Sequence, residues 1–173
     1  AGRAKDRAAK YSGNKSTDYK YNPKTNQATK KKWNSTTIKL MYLTADVIAG
    51  FSASLLQKSF DDPVQSPECH YEWWKYFCDP AQLVAIAAPR GHAKTTALTH
   101  TYALAAVLFR EREYVLVVSD TITQAVQFLG DIKKELIENE AIKSLFKIKE
   151  FIKETEDDFI CLCEDGHTLR MSA

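Results

Sequence analysis

Lys94 and Thr95, within "AIAAPRGHAKTTALTH" (85–100), are the residues of this chain whose types and order carry the most chemistry. They stand where the phosphate-binding pattern G-x-x-x-x-G-K-[ST] places its lysine and its hydroxyl, but both glycine positions are alanine, Ala88 and Ala93. In such a loop successive backbone N–H groups wrap the phosphates, the lysine reaches the β- and γ-phosphates, and the hydroxyl holds Mg2+. The N-terminus of the following helix adds partial positive charge. Alanine is the smallest replacement for glycine, so phosphate can still approach, provided Ala88 and Ala93 avoid positive φ. Gly91 supplies one permissive point, Arg90 a second cation and Thr96 a second hydroxyl. A plain strand-to-helix turn with its lysine in water would gain nothing from clustering these groups. The loop therefore reads as an ATP site built from Pro89, Arg90, Gly91, His92, Ala93, Lys94, Thr95 and Thr96, with Thr95 on the Mg2+ of the nucleotide. Lys94 and Arg90 are its candidate catalytic cations, and the His92 side chain is expected to face solvent.

Other residues invite sharper and blander readings. His70 can hydrogen-bond an adenine, with Trp73 or Trp74 stacking on it, or "HYEWWKYF" (70–77) is an aromatic helix face packed in the core. Asp120, with Thr121 and Gln124, either faces a ligand at a strand's carboxyl end or caps a helix, and the cap is favoured. The charges of "DIKKELIENE" (131–140) read as a solvated helix face. Cys69, Cys78, Cys161 and Cys163 match no metal spacing. Cys161 and Cys163 alternate as two buried thiols on one strand face, and a zinc site with His70 or His167 is the remote alternative.

These side chains need a scaffold, and the hydrophobic pattern suggests one. Residues 1–35 are basic and nearly free of aliphatics, an arm expected to be mostly disordered. Residues 36–80 form a helical subregion, with apolar spacing from Ile38 to Leu56, a cap at Ser35 or Thr36, and two prolines in "FDDPVQSPE". Residues 81–173 begin with "QLVAIAA" (82–88), a short apolar run suited to a strand buried on both faces. A helix from Lys94, a second strand "YVLVVSD" (114–120) and a further helix complete a βαβα unit, which predicts a parallel sheet with a right-handed crossover. "FICLCEDGHTLRMSA" closes as a hairpin around Asp165-Gly166. The fold class is thus α/β, the first part of a P-loop NTPase core of RecA-like type.

Net charge is +2, unevenly placed. Residues 1–36 carry ten Lys/Arg against two Asp/Glu, a balance of +8, and the remainder carries fourteen against twenty, or −6. A basic arm on an acidic body suits a polyanionic partner or simple solvation. No secretory signal or run of eighteen apolar residues occurs, so a cytoplasmic setting is expected and a membrane is not.

"HYEWWKYF", "VAIAAPRGHAKTTALTH" and "YVLVVSDTITQAVQFLGDIKKELIEN", in this order and spacing, resemble the large terminase subunit of tailed bacteriophages over roughly residues 50–173. The resemblance implies a packaging ATPase in the host cytoplasm that threads double-stranded DNA into a procapsid. It implies a homo-oligomeric ring, a pentamer, docked on the portal protein and working with the small terminase subunit, and a nuclease domain further along the chain. It also implies that Arg90 stabilises the γ-phosphate or reports its loss, and that His70 stands where related ATPases place a glutamine that reads adenine. The family's acidic pair at the end of a later strand is not found. Asp157 and Asp158 precede the run "FICLC", the wrong end of a strand. The chain therefore reads as a fragment that binds ATP weakly and hydrolyses it negligibly by itself. Two other readings stay open: a helicase-like P-loop translocase, since "VSDTITQA" also resembles a nucleic-acid grip, and a non-hydrolysing nucleotide-binding assembly module.

Overall fold

The computed structural model describes residues 42–60, 65–79 and 83–173, with the backbone of two short antiparallel strands, β1 (Tyr21–Asn22) and β2 (Gln27–Ala28). The rest of the basic arm, and the cap expected at Ser35 or Thr36, lie outside the described residues. Residues 42–44 are not helical, so no helix runs unbroken from Ser35 to Leu56. Instead α1 (Ala45–Phe51) starts at Thr44, whose extended backbone lets its hydroxyl accept from the Val47 amide at 3.3 Å. α1 continues into a π turn (Ser52–Leu56) and a 3-10 turn (Gln57–Ser59). α2 (Glu68–Cys78) follows Pro67 and buries His70, Trp73 and Trp74, the i, i+3, i+4 stripe of one helix face.

Residues 83–89 are extended but join no ladder among the described residues. Leu83 is 96% exposed, and along the segment exposed side chains alternate with half-buried ones. The expected strand at 82–88, buried on both faces and parallel to 114–119, is therefore not found. The sequence is apolar throughout, but only the side carrying Val84, Ile86 and Ala88 has anything to pack against. The second expected strand shortens to β3 (Tyr114–Leu116), and its ladder goes elsewhere.

Between the two segments lies one continuous helix. Its first half is π-helical (Thr95–Tyr102) and its second half is α3 (Ala103–Leu108). Every side chain of α3 is buried, as expected of a helix apolar all round that neighbours must cover. It packs on β3 and on β6 (Thr168–Ser172). α4 (Ile122–Glu138) buries Ala125, Leu129, Ile132 and Leu136, spaced four, three and four apart. α5 (Glu140–Phe146), β4 (Ile148–Glu154) and β5 (Asp158–Cys163) lead into β6. An aromatic trio ties these layers, with Phe51 and Phe146 at 5.9 and 5.3 Å from Phe109 and 6.3 Å from each other, all edge-to-face.

The sheet is small and mixed, in the order β3-β6-β5-β4. β3 and β6 are parallel, whereas β4, β5 and β6 form an antiparallel meander. The β5–β6 hairpin turns at Asp165-Gly166 as expected, with Gly166 at φ +81°. Cys161 and Cys163 share the buried face of β5, and burial pushes the Cys161 thiol up to about 12. Among the described residues no three His, Cys, Asp or Glu side chains gather to hold a metal, and no helix is long and apolar enough to cross a membrane.

Strand direction corrects the reading of Asp157 and Asp158. Because β5 runs against β3 and β6, its first residue pairs with Ser172, which in turn pairs with Leu116. Asp158 therefore lies at the carboxyl edge of the parallel pair, not at the far end of the sheet. Its carboxylate is already taken by Lys153 at 2.7 Å and Arg170 at 3.0 Å, which hold it below the usual carboxylate range.

Candidate nucleotide site

The loop between the extended segment and the π-helical turn is closed by its own lysine. Lys94 Nζ donates to the carbonyl oxygen of Ala88 at 2.7 Å, so the two ends of the pattern touch. Gly91 has φ +85°, and a Cβ there would meet nothing within 4 Å, so backbone freedom is what the position uses. Ala93 has φ +47°. This overturns the expectation that alanine there would avoid positive φ. The loop must reverse direction immediately before the helix, and it does so with an L-residue in the left-handed region at a cost of about 1–2 kcal/mol. Ala88, by contrast, is not among the residues with positive φ.

Two aromatic anchors on α2 hold this loop and the turn after it. Trp74, fully buried, donates its indole N–H to the Ala97 carbonyl at 2.9 Å. His70 is buried against Trp73, ring centroids 5.0 Å apart, and its Nε2 meets the His92 carbonyl at 2.7 Å. A carbonyl only accepts, so that nitrogen carries the proton. Burial pulls the imidazole below its ordinary range and favours the neutral ring. His70 thus packs on the aromatic face of α2 and touches the loop through the backbone of His92. Trp73 and Trp74 are core residues, not exposed stacking faces.

Arg90, Gly91, His92, Ala93 and Thr95 are exposed, while Lys94 and Thr96 are half-buried. Beside them opens a cleft of about 770 Å3, to which Ala93, Thr95, Thr96 and His70 contribute. That volume lies within the range of small-molecule sites. A triphosphate laid over the loop would meet the amides at the start of the π-helical turn, whose first N–H groups have no partner within the helix. The Thr95 hydroxyl sits at that same end and would offer an oxygen ligand to a Mg2+ bound with a nucleotide.

Asp120 is exposed and caps nothing. The cap of α4 is Thr121, whose hydroxyl accepts from the Gln124 amide at 3.3 Å, and Gln124 is further held by the Ser119 hydroxyl. Asp120 lost the role because the extended backbone conformation falls one residue later. Within "DIKKELIENE" the solvated-face reading fails at one position: Glu135 is only 7% exposed and turns into the cleft wall. Its place beside the Ile132 and Leu136 stripe was the available signal. His100, one helical turn past Thr96, also lines the cleft and carried no sequence motif.

Comparison of the chain with protein-family models, with curated proteins and with solved structures finds no match in any of the three.

Proposed function

We propose that this chain supplies the nucleotide-binding part of an ATP-driven motor of the terminase large-subunit type, moving double-stranded DNA. The observation that carries the reading is the ring closed by Lys94 on Ala88, with positive φ at Gly91 and Ala93 and a helix starting at once behind it. A plain turn has no use for a strained alanine there, and strain of this kind collects at functional sites. In the proposal Lys94 leaves the Ala88 carbonyl for the β/γ-phosphates, the loop amides wrap the phosphate oxygens, and Thr95 takes the Mg2+. Arg90, exposed beside the loop, offers a second cation to charge developing on the γ-phosphate. The ring of subunits, the portal and small-subunit partners and a nuclease elsewhere in the protein belong to the same proposal and rest on the sequence resemblance.

The test is direct binding by calorimetry in Mg2+, with ATP and with inorganic tripolyphosphate. Both should bind, and Lys94→Ala should remove both. Tripolyphosphate binding that survives Lys94→Ala would end the assignment of this loop.

A further inference from the structure

The cleft does not end at the loop. It runs past Thr96 along the π-helical turn, which contributes His100, and reaches α4, which contributes Asp131, Lys134, Glu135 and Glu138. Of these α4 charges Glu135 is the buried one.

Glu135 is a carboxylate side chain with little solvent contact. One oxygen, Oε2, accepts from Asn139 Nδ2 at 3.0 Å. Asn139 has nothing more to give: its amide also donates to the Leu55 carbonyl at 2.8 Å, and its oxygen accepts from the Ile142 amide at 3.2 Å. Asn139 therefore fixes where Glu135 points, and the second carboxylate oxygen has no hydrogen-bond partner among the described residues. That oxygen is not sealed from solvent, so it is open to a donor that a ligand in the cleft would bring.

His100 stands opposite in chemistry. Its ring lies edge-on to Phe60 at 6.2 Å, and its Nδ1 is buried with no partner among the described residues. An orphaned lone pair is tolerated better than an orphaned N–H. This places the proton of the neutral ring on Nε2, as a donor. Burial favours the neutral ring, while Glu135 and Asp131 lie close enough for their charge to oppose that. His100 is six residues beyond Lys94, at most about 9 Å along the helix, well within the length of a nucleoside triphosphate.

A donor and an acceptor thus face one cleft whose other end is the phosphate loop. We infer that His100 and Glu135 read the base of the bound nucleotide, selecting a purine whose N1–C6 edge presents a ring-nitrogen acceptor beside an exocyclic amine. Adenine has that edge, with N6 donating to Glu135 and the adjacent ring nitrogen accepting from His100. Guanine presents O6 at the same place, and an acceptor facing a buried carboxylate is repelled. The inference rests on the nucleotide reading above and adds the residues that decide which nucleotide.

The experiment uses the 173-residue chain and four ligands: ATP, GTP, purine riboside triphosphate (which lacks the amine) and tripolyphosphate. The unsubstituted chain should prefer ATP to GTP and to purine riboside triphosphate by about tenfold or more, the worth of one charge-assisted hydrogen bond. Glu135→Gln keeps the shape and the Asn139 contact but turns an amide donor toward the base. It should erase or invert the ATP-to-GTP preference while tripolyphosphate affinity stays unchanged. Equal affinity of the unsubstituted chain for ATP, GTP and purine riboside triphosphate would overturn the inference. So would an unchanged ratio in Glu135→Gln with tripolyphosphate still bound, and both results would leave the loop assignment standing. Failure of tripolyphosphate to bind, or binding indifferent to Lys94→Ala, would remove the nucleotide reading itself and the base reading with it.

Discussion

Lys94 and Ala88 are joined across the loop, ammonium to carbonyl at 2.7 Å, so the residue that should hold phosphate begins by holding the loop. The bond is replaceable. A neutral carbonyl is a weaker partner for an ammonium than a phosphate oxygen, so ligand can displace it without breaking the fold.

This gives the first prediction. If the proposed motor reading holds, Lys94→Ala should abolish ATP turnover there, and in the chain alone it should remove ATP and tripolyphosphate binding. Arg90→Ala should keep most nucleotide affinity but lose about 10³-fold in hydrolysis, because an arginine that meets charge only in the transition state adds little to ground-state binding. Calorimetry and steady-state hydrolysis on both variants separate the roles. Near-normal hydrolysis by Arg90→Ala would leave that residue a contact and not a catalyst.

The two alanines at the glycine positions should respond in opposite directions. Ala93 sits at φ +47°, so Ala93→Gly relieves left-handed strain and should stabilise by about 1 kcal/mol, raising Tm by about 2–4 °C. Ala88 has no positive φ, so Ala88→Gly only loosens the unfolded chain and should destabilise by about 0.5–1 kcal/mol. Thermal unfolding of the two single variants decides it, and a shift of the same sign in both would refute the strain at Ala93.

Much of this layout was legible in the residues. An aromatic face placed α2 and apolar spacing placed α3, because each has one face, or in α3 every face, that must leave water. α4 was legible as the helix that follows the second apolar run. The Asp165-Gly166 dipeptide placed the hairpin because a positive φ there is cheap only for glycine. What failed was pairing. "QLVAIAA" and "YVLVVSD" look alike as apolar runs, and nothing local says which one finds a hydrogen-bonding neighbour. That depends on β6, more than fifty residues beyond β3. The acidic residue at the carboxyl edge was missed for the same reason, since Asp158 reaches that edge only because β5 runs backwards. Pattern and spacing singled out the loop as a candidate, whereas Glu135 and His100 became visible only once α4 lay against the π-helical turn.

Trp74 carries the next prediction. Its indole N–H is the bond between α2 and the Ala97 carbonyl, inside the core. Trp74→Phe keeps an aromatic ring but removes one of the two donors to that helical carbonyl, costing about 0.5–1.5 kcal/mol, the net worth of one hydrogen bond. Chemical denaturation should show the loss at unchanged m-value, with tripolyphosphate affinity falling as the start of the helix loosens. A variant as stable as the parent would mean the hydrogen bond positions nothing.

The last prediction concerns pH and follows from His70. Its ring is neutral and buried, and its folded pKa lies below the ordinary histidine value because burial disfavours the charged form. As pH falls through about 6.5, the unfolded chain takes up a proton there while the folded chain resists. The unfolded state then binds more protons, so stability must fall as the solution becomes more acidic. His100 is shifted the same way and adds to the effect. Asp158 also loses its stabilising role in acid, but only as pH drops toward and below the ordinary carboxylate value near 3.9, so a comparison of pH 7.5 with 5.5 excludes it. The unfolding free energy should therefore be smaller at pH 5.5 than at 7.5, with His70 contributing at most about 1.4 kcal/mol of the difference. His70→Gln retains a donor for the His92 carbonyl and cannot titrate. It should preserve the fold at pH 7.5 and flatten the pH dependence by its share. If His70→Gln and the parent lose equal stability between the two pH values, the histidine is not held neutral, and the anchoring of the loop through His92 must be drawn differently.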